Sequence, residues 1–167
     1  TLFREVRERA PNDVYAKLGM AHVLAERFEG EANTLIEELL KQDDQLIDAH
    51  LLAARMALEE GQLEESDALL DRAADIATKQ KLPPLEVYSL RASLALWRNE
   101  RPDAWVKRAL DYNPRYGEVY EQLAHFEIMR RRYEQATELL RQAVQVQPDL
   151  WSAHAELGSN LLRLGQI

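Results

Sequence analysis

A period of about 34 residues runs through this chain and limits its fold more than any other feature. Ala143, Ala109, Ala73 and Leu39 follow one another at steps of 34, 36 and 34, and Pro148 and Pro114 are also 34 apart. The clearest copy has Tyr120, Leu123-Ala124, Tyr133-Glu134-Gln135-Ala136, Leu140, Ala143 and Pro148. One period further on, Leu157-Gly158 falls on Leu123-Ala124, and Gly165 falls on the turn before Tyr133. A unit of this length cannot bury its apolar face alone, so neighbouring units must stack.

Each period reads as two amphipathic helices joined by a polar turn. Leu51, Leu52, Ala54 and Leu58 recur at three- and four-residue steps, and Leu63, Leu69, Leu70, Ala73, Ile76 and Ala77 follow in a second helix. Gly61 suits the left-handed residue that follows a helix. Asn113-Pro114 and Gln147-Pro148 should stop helices, because the residue before proline avoids the α region. Asp149 and Asn12 are expected to N-cap the helices after them. Helices of ~11–15 residues with short turns leave no room for strands, which predicts nine or ten helices. Apolar residues at 46% supply the core, and six Gly and six Pro are too few for a fibrous or disordered chain.

These residues resemble the tetratricopeptide repeat family, whose pattern is an aromatic, a Leu-Gly pair, a small Ala and a closing Pro. The resemblance implies an all-α, right-handed superhelical solenoid of stacked antiparallel hairpins. It divides the chain into the end of a truncated repeat (1–11), repeats at 12–46, 47–80, 81–116 and 117–150, and the first helix of a truncated repeat (151–167). The 12–46 repeat matches through Tyr15, Leu18, Gly19, Ala32 and Leu39, with one extra residue before Ala32. In the 47–80 repeat Ser66 replaces the small Ala, and the 81–116 repeat is the most divergent, with a longer lead-in and a shortened turn at Asn99 to Pro102. Tyr15, Tyr120 and Tyr133 fall on family core positions. Trp97 and Trp105 match none; one is expected to pack across the turn, and exposure of the other would mark an interface.

Chemistry is sparse. There is no cysteine, which removes disulfides, thiolate nucleophiles and Cys-based zinc sites. His22, His50, His125 and His154 lie far apart, and no His-Glu-x-x-His is present. Glu37-Glu38, Glu59-Glu60 and Glu64-Glu65 are adjacent on helices and point apart, so they read as solvated faces. No phosphate-binding loop or nucleophile elbow occurs. We therefore expect no cofactor, no metal and no catalysis. Net charge of −8 argues against nucleic acid, with Arg130-Arg131-Arg132 read as a solvated helix end. No apolar run approaches the ~20 residues that span a bilayer.

The family resemblance implies a protein-interaction scaffold that holds a peptide or helical segment in a groove lined by the first helix of each repeat. Carried over by position, the groove residues are Met20, Leu51, Arg55, Leu58, Glu118, Glu121, His125, Ile128 and Ser159, with Asp13, Ala16, Ser152 and Ala155 beside them. The Lys and Asn clamp of chaperone-binding members is replaced by Ala16, Met20 and Leu52. Acidic chaperone tails are therefore excluded, and a basic or amphipathic partner fits better. The alternative is an accessory or oligomerisation domain of a larger enzyme whose catalytic domain lies outside this segment. Incomplete hairpins at both ends predict self-association through the ends or fraying of the last helix. The start Thr1-Leu2-Phe3-Arg4 reads as part of a longer chain, so the compartment is left open with the cytoplasm favoured.

Overall fold

The computed structural model describes residues 13–27 and 30–166. These contain nine helices and no strand. The chain divides into two units, Thr1–Leu82 and Pro83–Ile167. In the first, α1 (Val14–Ala25) pairs with α2 (Glu31–Gln42), and α3 (Ile47–Glu59) with α4 (Leu63–Gln80). In the second, α5 (Leu85–Trp97) pairs with α6 (Asp103–Tyr112) and α7 (Glu118–Met129) with α8 (Tyr133–Val146), and α9 (Trp151–Arg163) packs on α8. The helix expected at 1–11, and Asn12, lie outside the described residues.

The turns after four of the five first helices repeat the same chemistry. First helices end on Glu26, Glu60, Arg98, Arg130 and Leu164, at intervals of 34, 38, 32 and 34 residues. After four of these come Gly61, Asn99, Arg131 and Gly165, with φ of 77, 58, 60 and 66°. The next amide donates five residues back, from Gln62 to Ala57, Glu100 to Ala95, Arg132 to Glu127 and Gln166 to Leu161, at 2.8 to 3.0 Å. That pair of features is a Schellman cap, which satisfies carbonyls the helix end would otherwise leave open. Left-handed backbone costs an L-residue about 1–2 kcal/mol, so Arg131 is held there by these closing bonds.

The two irregular intervals have visible causes. No Gly or Pro interrupts α4, which runs to 18 residues and ends on left-handed Lys81. Pro102 and the Asn113-Pro114 pair confine α6 to 10 residues. Both depart from the helix lengths expected above. Asn113 is extended and Gln147, with φ −131° and ψ 85°, also lies outside the α region, as the following prolines require.

Small residues set the spacing inside each hairpin. Ala54, Ala92 and Ala124 are fully buried on first helices, as are Ala32, Ser66 and Ala136 on second helices. Ser66 keeps the role of an alanine because its hydroxyl donates to the Ala54 carbonyl at 2.8 Å. Gly117 begins α7 so close to α8 that a Cβ there would stand 2.7 Å from the Ala143 carbonyl oxygen. In the first unit Met20, Leu24, Leu35, Ile36 and Leu52 close the core. In the second, one cluster holds Val106, Val119 and Leu123, and another holds Ala136, Leu140 and Ala153. Burying one such Leu or Ile contributes about 1.5–3 kcal/mol.

Two capping expectations change. Asp13 caps α1, accepting from the Ala16 amide at 2.7 Å. Asp149 does not cap α9; it pairs with Arg115 at 3.3 Å, and the cap residue Leu150 has no side-chain bond. His50 and His154 hold equivalent places: each Nε2 lies 2.9 Å from a carbonyl oxygen six residues back, of Asp44 and of Pro148.

Candidate functional site

Counting back from the helix ends gives a register that the sequence alone left one residue off in α1. Ala16, His50, Tyr88, Tyr120 and His154 lie at one place, ten residues before each end. Tyr15 therefore stands one residue before the core position assigned to it above and is 81% exposed, while Ala16 is buried in its stead. The extra residue before Ala32 disappears in this register. Met20 moves to the small-residue place of Ala54 and Ala124, which turns it inward among Ala32, Leu35 and Ile36.

In the first unit Leu51 and Leu58 are buried along with Met20. Arg55 is half-buried on α3. Its field adds to burial in pushing the His22 imidazole below its ordinary range, while Asp48 and Glu26 act in the opposite direction. The surface offered here is polar and of mixed sign.

The second unit holds the other five candidates. Glu118, Glu121, His125 and Ile128 recur at steps of three, four and three along α7, and all four are half-buried. Ser159 is exposed on α9, as are Ser152 and Ala155. The electrostatics tie the helices together. Burial pushes the Tyr116 phenol up to about 12, Ser89 opposes this through its hydrogen bond, and Glu86, Glu118 and Glu121 add to it. Burial also raises the Glu156 carboxyl on α9; His125 and Arg163 pull it down, and Glu121 pushes it up. Glu86 of α5 and Glu118 and Glu121 of α7 therefore act together on Tyr116, in the turn before α7, and Glu121 also acts on Glu156 of α9.

Glu86 and Glu156 were missed by sequence reasoning. The 32-residue interval hides the equivalence of Glu86 with Glu118, which only the helix ends reveal. Glu156 corresponds to Gln122, a place that carries no charge elsewhere in this unit.

The aromatics fall differently from expectation. Trp97 and Trp105 are both half-buried. Trp97 meets Phe126 edge-on at 6.5 Å with the Arg130 guanidinium over its ring, and Trp105 lies beneath Arg91 and Arg108. The exposed tryptophan is Trp151, at 79%, beside His154 on α9. Among the described residues no group of three or more His, Asp and Glu is placed to hold a metal ion, and no helix is long and apolar enough to cross a membrane.

Stacked antiparallel helix hairpins with a recurring turn define a helical-repeat protein. No family model matches the sequence, and no curated protein matches it. Solved structures do. TTC0263, a tetratricopeptide-repeat protein of Thermus thermophilus, is similar with a TM-score of 0.70 at 18% identity, covering 96% of this chain and 88% of its own. YrrB, described as a tetratricopeptide-repeat protein with an unusual peptide-binding site, gives 0.59 at 14%, covering 99% and 85%. PilF of Pseudomonas aeruginosa gives 0.62 at 16%, covering 97% and 79%. The chain has the tetratricopeptide-repeat fold.

Proposed function

We propose that this chain is a protein-interaction scaffold and that the first-helix face of its second unit takes a basic or amphipathic peptide segment. The observation that carries this reading is the gathering of Glu86, Glu118, Glu121 and Glu156 along α5, α7 and α9, with Ile128 and His125 on the same stripe of α7. Lysine or arginine on a bound segment would meet these carboxylates, and Ile128 would meet its apolar side. The peptide-binding site of YrrB, a protein of the same fold, supports a peptide as the ligand. Binding without catalysis is the consistent role, since none of the residues named on this face pairs a nucleophile with a base.

The test is fluorescence anisotropy with a Lys-rich amphipathic peptide and a Glu-rich counterpart. The basic peptide should bind with an affinity that falls as salt rises, and the acidic one should not bind. Glu118→Lys with Glu121→Lys should weaken the basic peptide by about tenfold or more, since each exposed pair contributes roughly 0.2–1 kcal/mol and reversal adds repulsion. Because Glu156 holds its proton to a higher pH than an ordinary carboxyl, affinity should fall as pH drops toward that range. Equal binding by the double variant would remove this reading.

A second reading, self-association, is favoured by α9, where Trp151 and the 67%-exposed Leu162 form an uncovered apolar flank. Light scattering should then show mass rising with concentration, and Trp151→Ser with Leu162→Ser should abolish the rise. A constant monomer mass would dismiss it.

A further inference from the structure

α7 and α9 are seated side by side on one support. Both pack on α8, and α5 packs closely on α7, but α7 and α9 do not pack closely on one another. A trough is left between them, about 18 Å long at 1.5 Å per residue over the 12 residues of α7. Its walls stand within electrostatic reach. Burial raises the Glu156 carboxyl most, and across the gap His125 pulls it down while Glu121 pushes it up. Among the described residues neither Glu121 nor Glu156 is held in an ion pair. The floor is apolar: Ile128 of α7 and Leu157 of α9 are half-buried and pack on the cluster that holds Ala124 and Ala153.

Backbone hydrogen bonding decides which conformation such a trough accepts. An extended segment needs partners for its N–H and C=O groups, which the side chains of Ile128 and Leu157 cannot supply. Asn160, the one asparagine of α9, is fully buried and turned away, donating to the Tyr133 carbonyl and the Thr137 hydroxyl at 2.7 Å each. A helix satisfies its own backbone and presents side chains at three- and four-residue steps. The α7 wall has the same steps, with Glu118, Glu121, His125 and Ile128 at three, four and three.

We propose that the peptide taken by the acidic face binds as an amphipathic α-helix lying in the trough between α7 and α9, its cations on Glu121 and Glu156 and its apolar side on Ile128 and Leu157. This rests on the peptide-binding reading above and adds the ligand's conformation and place.

The probes are three forms of the Lys-rich amphipathic peptide: unmodified, locked as a helix by a side-chain lactam, and broken by a central proline. The locked form should bind the whole chain about tenfold more tightly than the unmodified one, because a short free helix is marginal in water and must be ordered on binding. The proline form should lose about a hundredfold, since proline in a helix interior removes a hydrogen bond and clashes with the preceding turn. Transferred NOEs on the bound unmodified peptide should show the three-residue contacts of a helix. Ser159→Trp, at an exposed place on α9, should fill the trough and weaken the locked form tenfold or more at an unchanged melting temperature. Equal affinity of the locked and proline forms, extended-chain NOEs, or full affinity in Ser159→Trp would overturn the helical mode and leave the basic-peptide reading standing. Failure of all three forms to bind would overturn both.

Discussion

Phe126→Ala should lower the unfolding free energy by about 3–5 kcal/mol, the usual cost of emptying a large aromatic site in a close-packed interior. Phe126 is fully buried and is the largest such side chain among the described residues. Its ring meets Trp97 edge-on at 6.5 Å and His125 at 5.5 Å, so its loss also removes two aromatic contacts. Against a total stability of typically 5–15 kcal/mol, that loss should shift urea and thermal midpoints far down. Phe126→Leu, which keeps most of the volume, should cost far less. Because α7 also carries Glu118 and Glu121, peptide affinity should fall with the alanine variant at temperatures where α7 begins to open. A loss below about 1 kcal/mol would show that α7 is not packed as described.

Glu127→Ala should cost about 3 kcal/mol, at the low end of what breaking a buried ion pair requires. Glu127 is 2% exposed and sits three residues before the end of its helix, where the other first helices carry Val23, Ala57, Ala95 and Leu161. A carboxylate there is tolerated because Arg130 approaches to 3.6 Å and Arg132 to 3.8 Å. Arg130 in turn donates to the Leu96 carbonyl at 3.1 Å and to the Asn99 side chain at 3.3 Å, tying this carboxylate to the end of α5. Removing Glu127 leaves a largely buried guanidinium without its countercharge. Glu127→Leu combined with Arg130→Leu should recover most of the loss, as apolar replacements of whole buried pairs often do. Denaturant melts of the single and double variants form the cycle that measures the coupling. Additive effects would mean the pair is not coupled.

Most of the architecture was legible because repeat period, small-residue spacing and proline stops all act locally. Gly61 with its left-handed turn and Asn113-Pro114 with its extended stop behave as their chemistry dictates. The register of α1 was not legible. Tyr15 looks like a core aromatic, but the helix end at Glu26 sets the phase and puts Ala16 in the buried place instead. Capping at Asp149 failed because Arg115, 34 residues away, competes for its carboxylate. Of the candidate site, the α7 residues Glu118, Glu121, His125 and Ile128 were named through the repeat positions that the family resemblance implies, and α7 carries them at helical spacing. Glu86 and Glu156 could not be named so, since their meeting with those residues depends on a shortened α6 and on helix packing. The burial of Leu51 and Leu58 was hidden for the same reason: a position facing the groove in the repeat pattern becomes core wherever neighbouring helices close over it.

The most direct test of peptide binding on the acidic face is amide chemical-shift mapping of the full chain titrated with the Lys-rich amphipathic peptide. Saturating shifts should concentrate on Glu118, Glu121, His125 and Ile128 of α7 and on Ser152, Glu156 and Ser159 of α9, all lost with Glu118→Lys and Glu121→Lys. Saturating shifts confined to the α6 and α8 side, or none at all, would contradict it.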